Sequence, residues 1–314
     1  NIENEIVILD SELSEQNSKF YKKKNRNIIK ILDKNLIKEE ENFMWLSLGK
    51  IKQLCLEDNI VNMDLRSILS GVSFHENDEN LEINNLHHDS LYEKELSSFS
   101  YQKINFLMEK YNEYNKKNTR LIKFKELNNL KDWSLSNGVL KYKIKKFFRV
   151  LGMEFSTKYR EIQKWEQPLL QSVESENNVL FFFKDKDALL VLVQFKIECG
   201  CSEVSEIGPT IQFNGYDEID EMESFLISFY KNGNQNLKFK VKQSEEGGRF
   251  FREENFNILK ELNFKEKEMI DNKISFQKYN WIELGNLIKL ISKGGPINMQ
   301  LRSVISMISS ETII

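Results

Sequence analysis

One long phrase occurs twice in this 314-residue chain and restricts the folds that the chain can adopt. The segments Trp45–Ser70 and Trp281–Ser306 align without a gap, and both read W-x-x-L-G followed by N-M-x-L-R-S-x-x-S. A second related stretch lies upstream of each copy, "SEQNSKFYKKKNRNIIKIL" before the first and "SEEGGRFFREENFNILKEL" before the second. A duplication of this length indicates two related modules rather than a solenoid of short repeats.

Each copy has the same sequence of predicted elements. Alternating apolar residues predict a strand over residues 18–32 in the first copy and 248–262 in the second. After the tryptophan, apolar residues at helical spacing predict two helices, separated by Asp58-Asn59 in the first copy and by Gly294-Gly295-Pro296 in the second. We expect both repeated tryptophans to lie in the core.

The two copies differ in what precedes them. Residues 133–230 read as several strands before the second copy, including a buried hairpin that turns at Lys184-Asp185-Lys186. No comparable stretch precedes residue 14, so we expect the first copy to be only the C-terminal part of a module.

A polar connector joins the copies and carries one predicted helix, with Ile104, Leu107, Met108 and Tyr111 on one face. We therefore predict an α+β fold in three segments. Residues 1–74 form part of a first module, 75–130 form the connector, and 131–314 form a second module.

Composition excludes several classes of function. The formal net charge of −3 provides no global field for nucleic acid or anionic lipid. The chain has no apolar run of the roughly 20 residues that span a bilayer. Three cysteines do not make a disulfide framework, so we expect a cytoplasmic protein. Cys199-Gly-Cys201 lacks the further ligands of a zinc site, and we expect no metal.

Several phrases resemble the NDP-hexose 2,3-dehydratases of deoxysugar biosynthesis. They are "FFRVLGMEF" (147–155), "WEQPLL" (165–170), "LVQFKIECG" (192–200), "IGPTIQ" (207–212) and both N-M-x-L-R-S phrases. The resemblance implies tandem Nudix-like modules in a homodimer. The implied reaction removes water across C2–C3 of a nucleotide-linked 4-keto-6-deoxyhexose, with dTDP as the expected nucleotide, for an O-antigen or a natural product.

The resemblance also implies that no cofactor is needed, because the C4 ketone acidifies the C3 proton and no hydride moves. The chain has neither G-x-G-x-x-G nor a P-loop. It also lacks the Nudix metal box G-x5-E-x7-R-E-x2-E-E, so we expect no pyrophosphatase activity.

The chain departs from the family's pattern in two places. The family typically reads K-x-E-P-G-N where this chain has Lys196-Ile-Glu198-Cys199-Gly200-Cys201. It typically continues P-T-x-Q with T-x-S-N-Y, whereas here Phe213-Asn214-Gly215-Tyr216 follows. Tyr216 is the candidate for the family's aromatic residue.

Lys196 and Glu198 are the first candidates for catalysis. They alternate along a predicted strand, so both face one side and can tune each other's ionisation, or else form an ordinary surface ion pair. Gln194 extends the same face. Asp64 is replaced by Gln300 in the second copy, which either marks a catalytic copy or reflects drift at a helix N-terminus.

Arg66 and Arg302 recur at a helix start beside Asn62 and Asn298, where a phosphate is favoured. The alternative is that each asparagine caps its helix and each arginine pairs with a carboxylate. Arg249 follows two glycines that let a ligand approach the backbone, and the first-copy counterpart Asn17-Ser18-Lys19 lacks them.

Thr210 and Gln212 form a same-face pair suited to hydrogen-bonding a ligand, and Gln167 lies in a predicted strand-end turn. The catalytic candidates are therefore Lys196, Glu198 and Asp64, and the substrate-binding candidates are Asn62, Arg66, Gln167, Gln194, Thr210, Gln212, Tyr216, Arg249, Asn298 and Arg302. The three histidines, His75, His87 and His88, lie in the polar connector and are expected to be solvated.

Three functional interpretations remain. The first is a 2,3-dehydratase, the second a non-catalytic relative that binds nucleotide sugars, and the third a dimerisation scaffold. The departures over 199–216 favour the second interpretation, whereas the repeated arginine phrase favours ligand binding over scaffolding.

Overall fold

The computed structural model describes residues 6–33, 41–73, 91–144, 147–214, 219–231 and 236–313. Helices and mixed sheets occur together, which confirms the α+β prediction. The strands are β1 (Ile6–Ser14), β2 (Lys24–Ile31), β3 (Trp133–Ser136), β4 (Val139–Tyr142), β5 (Phe148–Ser156), β6 (Lys164–Ser172), β7 (Asn177–Lys184), β8 (Leu189–Ile197), β9 (Ser205–Gly208), β10 (Ile211–Phe213), β11 (Leu237–Ser244), β12 (Glu254–Glu261) and β13 (Tyr279–Glu283). The helices are α1 (Leu48–Leu54), α2 (Met63–Leu69), α3 (Leu91–Ser97), α4 (Tyr101–Lys117), α5 (Glu221–Lys231), α6 (Phe264–Asp271), α7 (Leu284–Ser292) and α8 (Met299–Ser306).

The largest sheet carries the strand order β11-β12-β7-β8-β13, with β9 added to β8 and β10 added to β7. Strands β7 and β8 form the predicted hairpin, and their dense Phe, Leu and Val side chains are buried on both faces of the sheet. Strand β12 runs parallel to β7, while the other pairs in this sheet are antiparallel.

A second sheet is the antiparallel meander β3-β4-β5-β6. Trp165, Gln167 and Pro168 lie inside β6, so the prediction of a strand-end turn there was wrong. An isolated bridge from Leu170 to Phe250 joins this sheet to the turn before β12.

The two copies of the repeated phrase form corresponding elements. The β1–β2 hairpin of the first copy matches β11–β12 of the second, and α1 and α2 match α7 and α8. The predicted strands begin later than expected because a tight turn precedes each of them, with Lys22 and Arg252 both at φ 52°. The strands predicted over 18–32 and 248–262 therefore wrongly included the turn that precedes each observed strand.

The copies interlock through their arginines and helices. Arg66 on α2 donates to the carbonyl oxygen of Ser244 at the end of β11, and Arg302 on α8 donates to that of Ser14 at the end of β1. Each arginine therefore bonds the strand of the other copy. Lys52 on α1 adds bonds to the carbonyls of Ser306 and Ile308, at 3.1 and 3.0 Å.

One hydrophobic core includes residues of the first copy, of the connector helices and of the second copy. Helix α4 packs into it through buried Ile104, Leu107 and Tyr111 and half-buried Met108, as predicted. Because this core crosses all three predicted segments, the division at 74 and 130 stays a prediction.

The glycine of the repeated phrase has a packing reason in the second copy. A Cβ on Gly285 would lie 2.3 Å from the carbonyl oxygen of Glu95 on α3, so only glycine permits this approach. The carboxylate of Glu95 accepts the backbone N–H groups of Gly285 and Leu189, at 2.6 and 2.8 Å, and so joins α3 to α7 and β8.

The repeated tryptophans do not behave alike. Trp281 is half-buried and its Nε1 donates to Asp271 at 2.7 Å, whereas Trp45 is 64% exposed. The core assignment of Trp45 was wrong, because 43–47 pairs with no strand of the described chain while its counterpart β13 pairs with β8. Within the residues the structure describes, no helix has both the length and the apolar character needed to cross a membrane.

Candidate functional site

A pocket of about 430 Å³ opens where β8 and β10 meet the turn after β1. This size is within the usual range for small-molecule sites, roughly 300–1,000 Å³. Its walls come from both copies, from α4 and from the four-stranded sheet. The polar lining residues are Gln16, Ser18, Lys19, Tyr114, Ser172, Glu174, Glu176, Gln194, Lys196, Glu198, Gln212, Asn214, Glu223, Glu253, Asn255, Lys278 and Gln300.

The end of β8 supplies the floor of the pocket. Gln194, Lys196 and Glu198 all line the cavity, and so do Phe195 and Ile197 between them. The Lys196 ammonium donates to the main-chain oxygen of Gln212 at 3.0 Å. This bond holds β8 and β10 together across the floor.

Gln212 is the hub of the hydrogen bonds beneath the pocket. Its Nε2 donates to carboxylate oxygens of Glu198 and Glu176, both at 3.1 Å. Its Oε1 accepts from Nδ2 of Asn298 at 3.0 Å. The side chain of Gln212 therefore fixes the orientation of Glu198, and Asn298 acts beneath it without lining the cavity.

Burial raises the pKa of Glu198 from its ordinary value of 4.5 to about 7. Lys196 lowers this pKa, whereas the negative charges of Glu176 and Glu206 raise it further. A carboxyl group that gains and loses its proton near neutral pH is suited to general acid–base chemistry.

Gln194 is fully buried, and neither its Oε1 nor its Nε2 has a partner among the described residues. Buried amides normally form hydrogen bonds, so an unpartnered one in a pocket wall indicates a place for a polar ligand or for water. Opposite it on β9 stands Gly208, where a Cβ would lie 3.0 Å from Nδ2 of Asn298. A larger residue at this point would push Asn298 from its position.

The turn after β1 supplies another wall. Gln16, Ser18 and Lys19 line the pocket, and the Lys19 ammonium lies 5.1 and 5.0 Å from the ring centroids of Phe147 and Phe148. Sequence reasoning favoured the second-copy loop at Arg249 and underrated this first-copy turn. The alignment of the two loops could have pointed to this turn as a candidate. It could not show which of the two loops lines the pocket, because that depends on how the copies pack together.

The remaining wall comes from the second module. Lys278 reaches Glu223 and Asp220 at 3.2 and 3.3 Å, and Gln300 on α8 completes this side. Glu176, Lys278 and Glu223 also line the pocket, but no motif in the sequence identified them as candidates.

Residues 1–72 and 104–308 match the family described as NDP-hexose 2,3-dehydratase. The chain belongs to this family. Together these residues form every wall of the pocket, so the site lies within the part of the chain that carries the family's pattern.

Three curated relatives carry the name dTDP-4-dehydro-6-deoxy-alpha-D-glucopyranose 2,3-dehydratase. The chain is 27% identical to the one from Saccharopolyspora spinosa, over 97% of this chain and 63% of the relative. It is 27% identical to the one from Amycolatopsis orientalis, over 98% of this chain and 60% of the relative. It is 25% identical to the one from Streptomyces violaceoruber, over 96% and 65%. The alignments thus cover nearly all of this chain but less than two thirds of each relative.

The arginines of the family phrase do not line the pocket. Arg66 is buried and donates to the carbonyl of Val61 and to Oε1 of Gln243, the latter at 3.1 Å. Arg302 is likewise buried and donates to the carbonyl of Ile297 at 2.7 Å. The expected contact with phosphate or sugar is not supported, because both buried guanidinium groups donate to acceptors within the protein, chiefly main-chain oxygens.

The asparagines of the family phrase are helix caps. The side chain of Asn62 accepts the N–H of Leu65, and that of Asn298 accepts the N–H of Leu301, both at 2.9 Å. The alternative that the asparagines cap the helices is therefore correct. The carboxylate partners expected for the arginines are replaced by carbonyl groups.

Four further candidates lie away from the cavity. The hydroxyl of Thr210 accepts the N–H of Phe181 at 2.9 Å and donates to a β8 carbonyl, so it joins strands. Gln167 on β6 donates to the carbonyl of Gly248 at 2.6 Å. Arg249 forms ion pairs with Glu15 and Glu246. Asp64 is exposed on α2, although its counterpart Gln300 does line the pocket. Tyr216 and the three histidines, His75, His87 and His88, lie outside the described residues.

Proposed function

We propose that this chain is a sugar-nucleotide 2,3-dehydratase, a hydro-lyase that removes water across C2–C3 of a nucleotide-linked 4-keto-6-deoxyhexose. The observation that carries the proposal is the floor of the pocket. There a buried carboxyl group with a pKa of about 7, Glu198, stands beside the ammonium group of Lys196. Family membership and the names of the curated relatives support the same reaction.

The reaction requires removal of the C3 proton, stabilisation of the enolate oxygen at C4 and departure of the C2 hydroxyl. In this proposal the Glu198 carboxylate removes the C3 proton. A base with a pKa near 7 is stronger than an ordinary carboxylate and can still lose its proton near neutral pH. The protonated Glu198 then gives its proton to the departing hydroxyl, so that water leaves and the carboxylate is restored.

Lys196 and Gln194 have the remaining roles. The Lys196 ammonium stabilises the enolate oxygen, which is the largest developing charge of the reaction. The unpartnered amide of Gln194 hydrogen-bonds the hexose. The ketone is the electron sink, so the proposal requires no cofactor.

We assign the diphosphate to the open side of the pocket, next to the turn after β1. Lys19 contributes a positive charge there, and the rings of Phe147 and Phe148 next to it offer surface on which a nucleobase can stack. The carboxylates Glu174, Glu176 and Glu253 lie on the other walls, where sugar hydroxyl groups rather than phosphates are the compatible partners.

The names of the relatives point to a dTDP-linked substrate and to deoxysugar synthesis. We propose that the chain acts as a homodimer and in the cytoplasm, where its three free thiols, on Cys55, Cys199 and Cys201, would stay reduced.

Turnover without added cofactor tests the proposal. The chain is incubated with dTDP-4-keto-6-deoxyglucose in deuterated water, and the sugar is analysed by mass spectrometry and NMR. We expect loss of the C2 hydroxyl with deuterium at C2 in the product. The variant Glu198→Gln should have a kcat about 10²–10⁴-fold lower than that of the unmodified chain. Its affinity for dTDP should stay within about threefold of the unmodified chain's affinity.

Glu203→Gln is the matched control, because Glu203 is an exposed carboxylate close in sequence and outside the pocket. It should keep full activity. Saturable dTDP binding without turnover in the unmodified chain would instead support a non-catalytic relative that binds nucleotide sugars. If the unmodified chain showed neither dTDP binding nor turnover, only the interpretation as a dimerisation scaffold would remain.

A further inference from the structure

The turns after β1 and after β11 are counterparts in the repeat and have the same backbone hydrogen bonds. In the first turn, the N–H of Lys19 donates to the carbonyl of Gln16 at 2.8 Å. In the second, the N–H of Arg249 donates to the carbonyl of Glu246 at 3.1 Å. The next residue of each turn donates to the same carbonyl, at 3.0 Å in both. Lys19 therefore corresponds to Arg249, and Gln16 corresponds to Glu246.

Three carboxylates surround the cation of the second turn. Arg249 forms ion pairs with Glu246, at 2.7 Å, and with Glu15. Burial lowers the pKa of Arg249, but the bond to Glu15 and the charges of Glu15, Glu246 and Asp64 raise this pKa by more, so that it lies above its ordinary value. The positive charge of this turn is therefore neutralised within the protein.

Two of these three carboxylates have neutral counterparts at the first turn. Gln16 stands at the position of Glu246, and Gln300 on α8 stands at the position of Asp64 on α2. Both glutamines line the pocket, as Lys19 does. The pocket side of the repeat therefore has a cation without two of the negative charges that its counterpart has.

The third carboxylate is present but is directed elsewhere. Glu245 is the counterpart of Glu15, and its oxygens accept from the side chains of Gln16 and Asn255. Within the part of the chain that the structure describes, the ammonium of Lys19 forms no ion pair and lies against two aromatic rings. Its positive charge is therefore available to a ligand.

Gln300 is placed to face the same ligand. It lies in the first turn of α8, is 5% exposed and lines the pocket, and its buried Oε1 has no partner among the described residues. A half-turn of the amide presents Nε2, a donor, at that place. Arg302, two residues further on, donates to the carbonyl of Ser14 and so holds the start of α8 beside the turn. The first turn of α8 has no acidic residue, so the positive end of this helix is also not compensated.

We propose that Lys19 and Gln300 bind the diphosphate of the ligand, and that the neutral side chains of Gln300 and Gln16 make this turn selective for an anion. The other two lysines of the lining, Lys196 and Lys278, each have a glutamate beside them. That leaves Lys19 as the cation best placed for a diphosphate. The identity of the ligand as the substrate rests on the proposed function, whereas the preference for a diphosphate does not.

Calorimetric titration of the whole chain with dTDP, at low and at high salt, measures this preference. Gln300→Glu keeps the size of the side chain and adds a negative charge, like that of Asp64 in the other copy. It should weaken dTDP binding at least about tenfold at low salt, because the new carboxylate and the diphosphate repel each other. The loss should be smaller at high salt, which screens the repulsion.

Two controls separate the charge from other effects of the substitution. Asp64→Gln is the reciprocal change at an exposed position outside the pocket, and its affinity for dTDP should stay within about threefold of the unmodified chain's. Thymidine lacks the diphosphate, so its affinity, measured by saturation-transfer NMR, should be the same for Gln300→Glu and for the unmodified chain.

Three results for folded Gln300→Glu would overturn the proposal: dTDP affinity within threefold of the unmodified chain's, a loss that is equal at both salt concentrations, or an equal loss for thymidine. If Gln300→Glu does not fold, Lys19→Gln decides. It should weaken dTDP binding more at low salt than at high salt, and an unchanged affinity overturns the proposal. Absence of dTDP binding by the unmodified chain overturns it too. Absence of turnover, with the dTDP results as expected, would contradict the dehydratase alone.

Discussion

Arg66 shows how a residue of the repeated phrase can join the two copies without lining the pocket. Its guanidinium group is buried and donates to Val61, Gln243 and Ser244, two of which belong to the other copy. The fork of donors in arginine satisfies several acceptors at once, which lysine cannot do in the same geometry. Duplication preserved this residue together with the interlocking of the copies that it supports.

Arg66→Met should lower the free energy of unfolding by about 3–5 kcal/mol, because several buried acceptors lose their donor. Arg26→Met is the control, since Arg26 pairs with Asp10 on the surface, where solvent screens the pair, and it should lower the free energy of unfolding far less than Arg66→Met does. Urea unfolding measures both values. The affinity of folded Arg66→Met for dTDP should stay within about threefold of the unmodified chain. A large loss of affinity with unchanged stability would restore the ligand role expected from the sequence.

Glu245 gives a prediction about pH. Burial raises its pKa from 4.5 to about 7, while Asn255 donates to one of its oxygens at 2.6 Å. Because the folded pKa lies above the unfolded one, the protonated form stabilises the fold. This stabilisation is fully present below pH 4.5 and is lost as the pH rises through about 7.

Glu245→Gln should therefore reduce the loss of stability between pH 5 and pH 8 by about 1–3 kcal/mol. Unfolding by urea at both pH values measures this difference. Glu198 contributes in the same direction, so the loss should be reduced and not abolished. An equal fall in stability with pH in the variant and the unmodified chain would contradict the assignment.

At the scale of single residues, the sequence identified a stretch of chain at the pocket but not the role of each side chain. The alternation along β8 predicts one face for Gln194, Lys196 and Glu198; all three line the pocket, but so do Phe195 and Ile197 between them. It did not reveal Glu206, because a strand of four residues with every position buried has no alternation to read.

At the scale of elements, the turn after β1 joins the two copies at the pocket. Gly200, which follows β8, accepts from the N–H of Lys22 and donates to the carbonyl of Asn17, both at 2.7 Å. A Cβ on Gly200 would lie 1.8 Å from the carbonyl oxygen of Phe20 and 2.4 Å from that of Asn17. Backbone atoms cannot yield as a flexible side chain does, so the turn itself would have to move.

Gly200→Ala should weaken dTDP binding by at least about tenfold, because the turn carries Gln16, Ser18 and Lys19 into the pocket. Gly49→Ala is the matched control: no atom lies within 4 Å of its added Cβ, and alanine favours helix α1. Calorimetric titration with dTDP measures both affinities. Equal affinities of Gly200→Ala and the unmodified chain would separate the turn from the ligand site.

The elements that the sequence predicted correctly are those with strong periodicity. Helix α4 and the β7–β8 hairpin are examples, since a helical stripe and two dense apolar runs leave few alternatives. The starts of β2 and β12 were misplaced because Lys22 and Arg252 adopt left-handed backbone angles, which are uncommon for lysine and arginine and therefore not predictable from the sequence. Strands β1 and β11 were missed because their partners became visible only in the folded sheets.

At the scale of the whole molecule, the repeated copies have unequal surroundings. Gly285 lies against α3, whereas no atom lies within 4 Å of a Cβ added to its counterpart Gly49. Trp45 is exposed while Trp281 is half-buried. The duplicated phrase predicted similar local elements, but the environment of each copy depends on neighbours that local sequence does not specify.

The shared core predicts one cooperative unfolding transition for the described chain. Apolar residues of the first copy, such as Leu13 and Leu69, belong to the same cluster as Leu180 and Leu301 of the second module. Urea unfolding followed by near-ultraviolet and far-ultraviolet circular dichroism should give coincident curves. Two separated transitions would show that the segments divided at 74 and 130 fold as independent domains.

The central claim is that Glu198 removes the C3 proton of a nucleotide-linked keto sugar in the pocket between the two copies. Its most direct measurement follows deuterium from dTDP-4-keto-6-deoxyglucose labelled at C3 into the solvent, using the unmodified chain, Glu198→Gln and Glu203→Gln. We predict release of the label by the unmodified chain and by Glu203→Gln, and release slowed at least about a hundredfold by Glu198→Gln. Equal release by Glu198→Gln, or retention of the label while water is lost, would contradict the account.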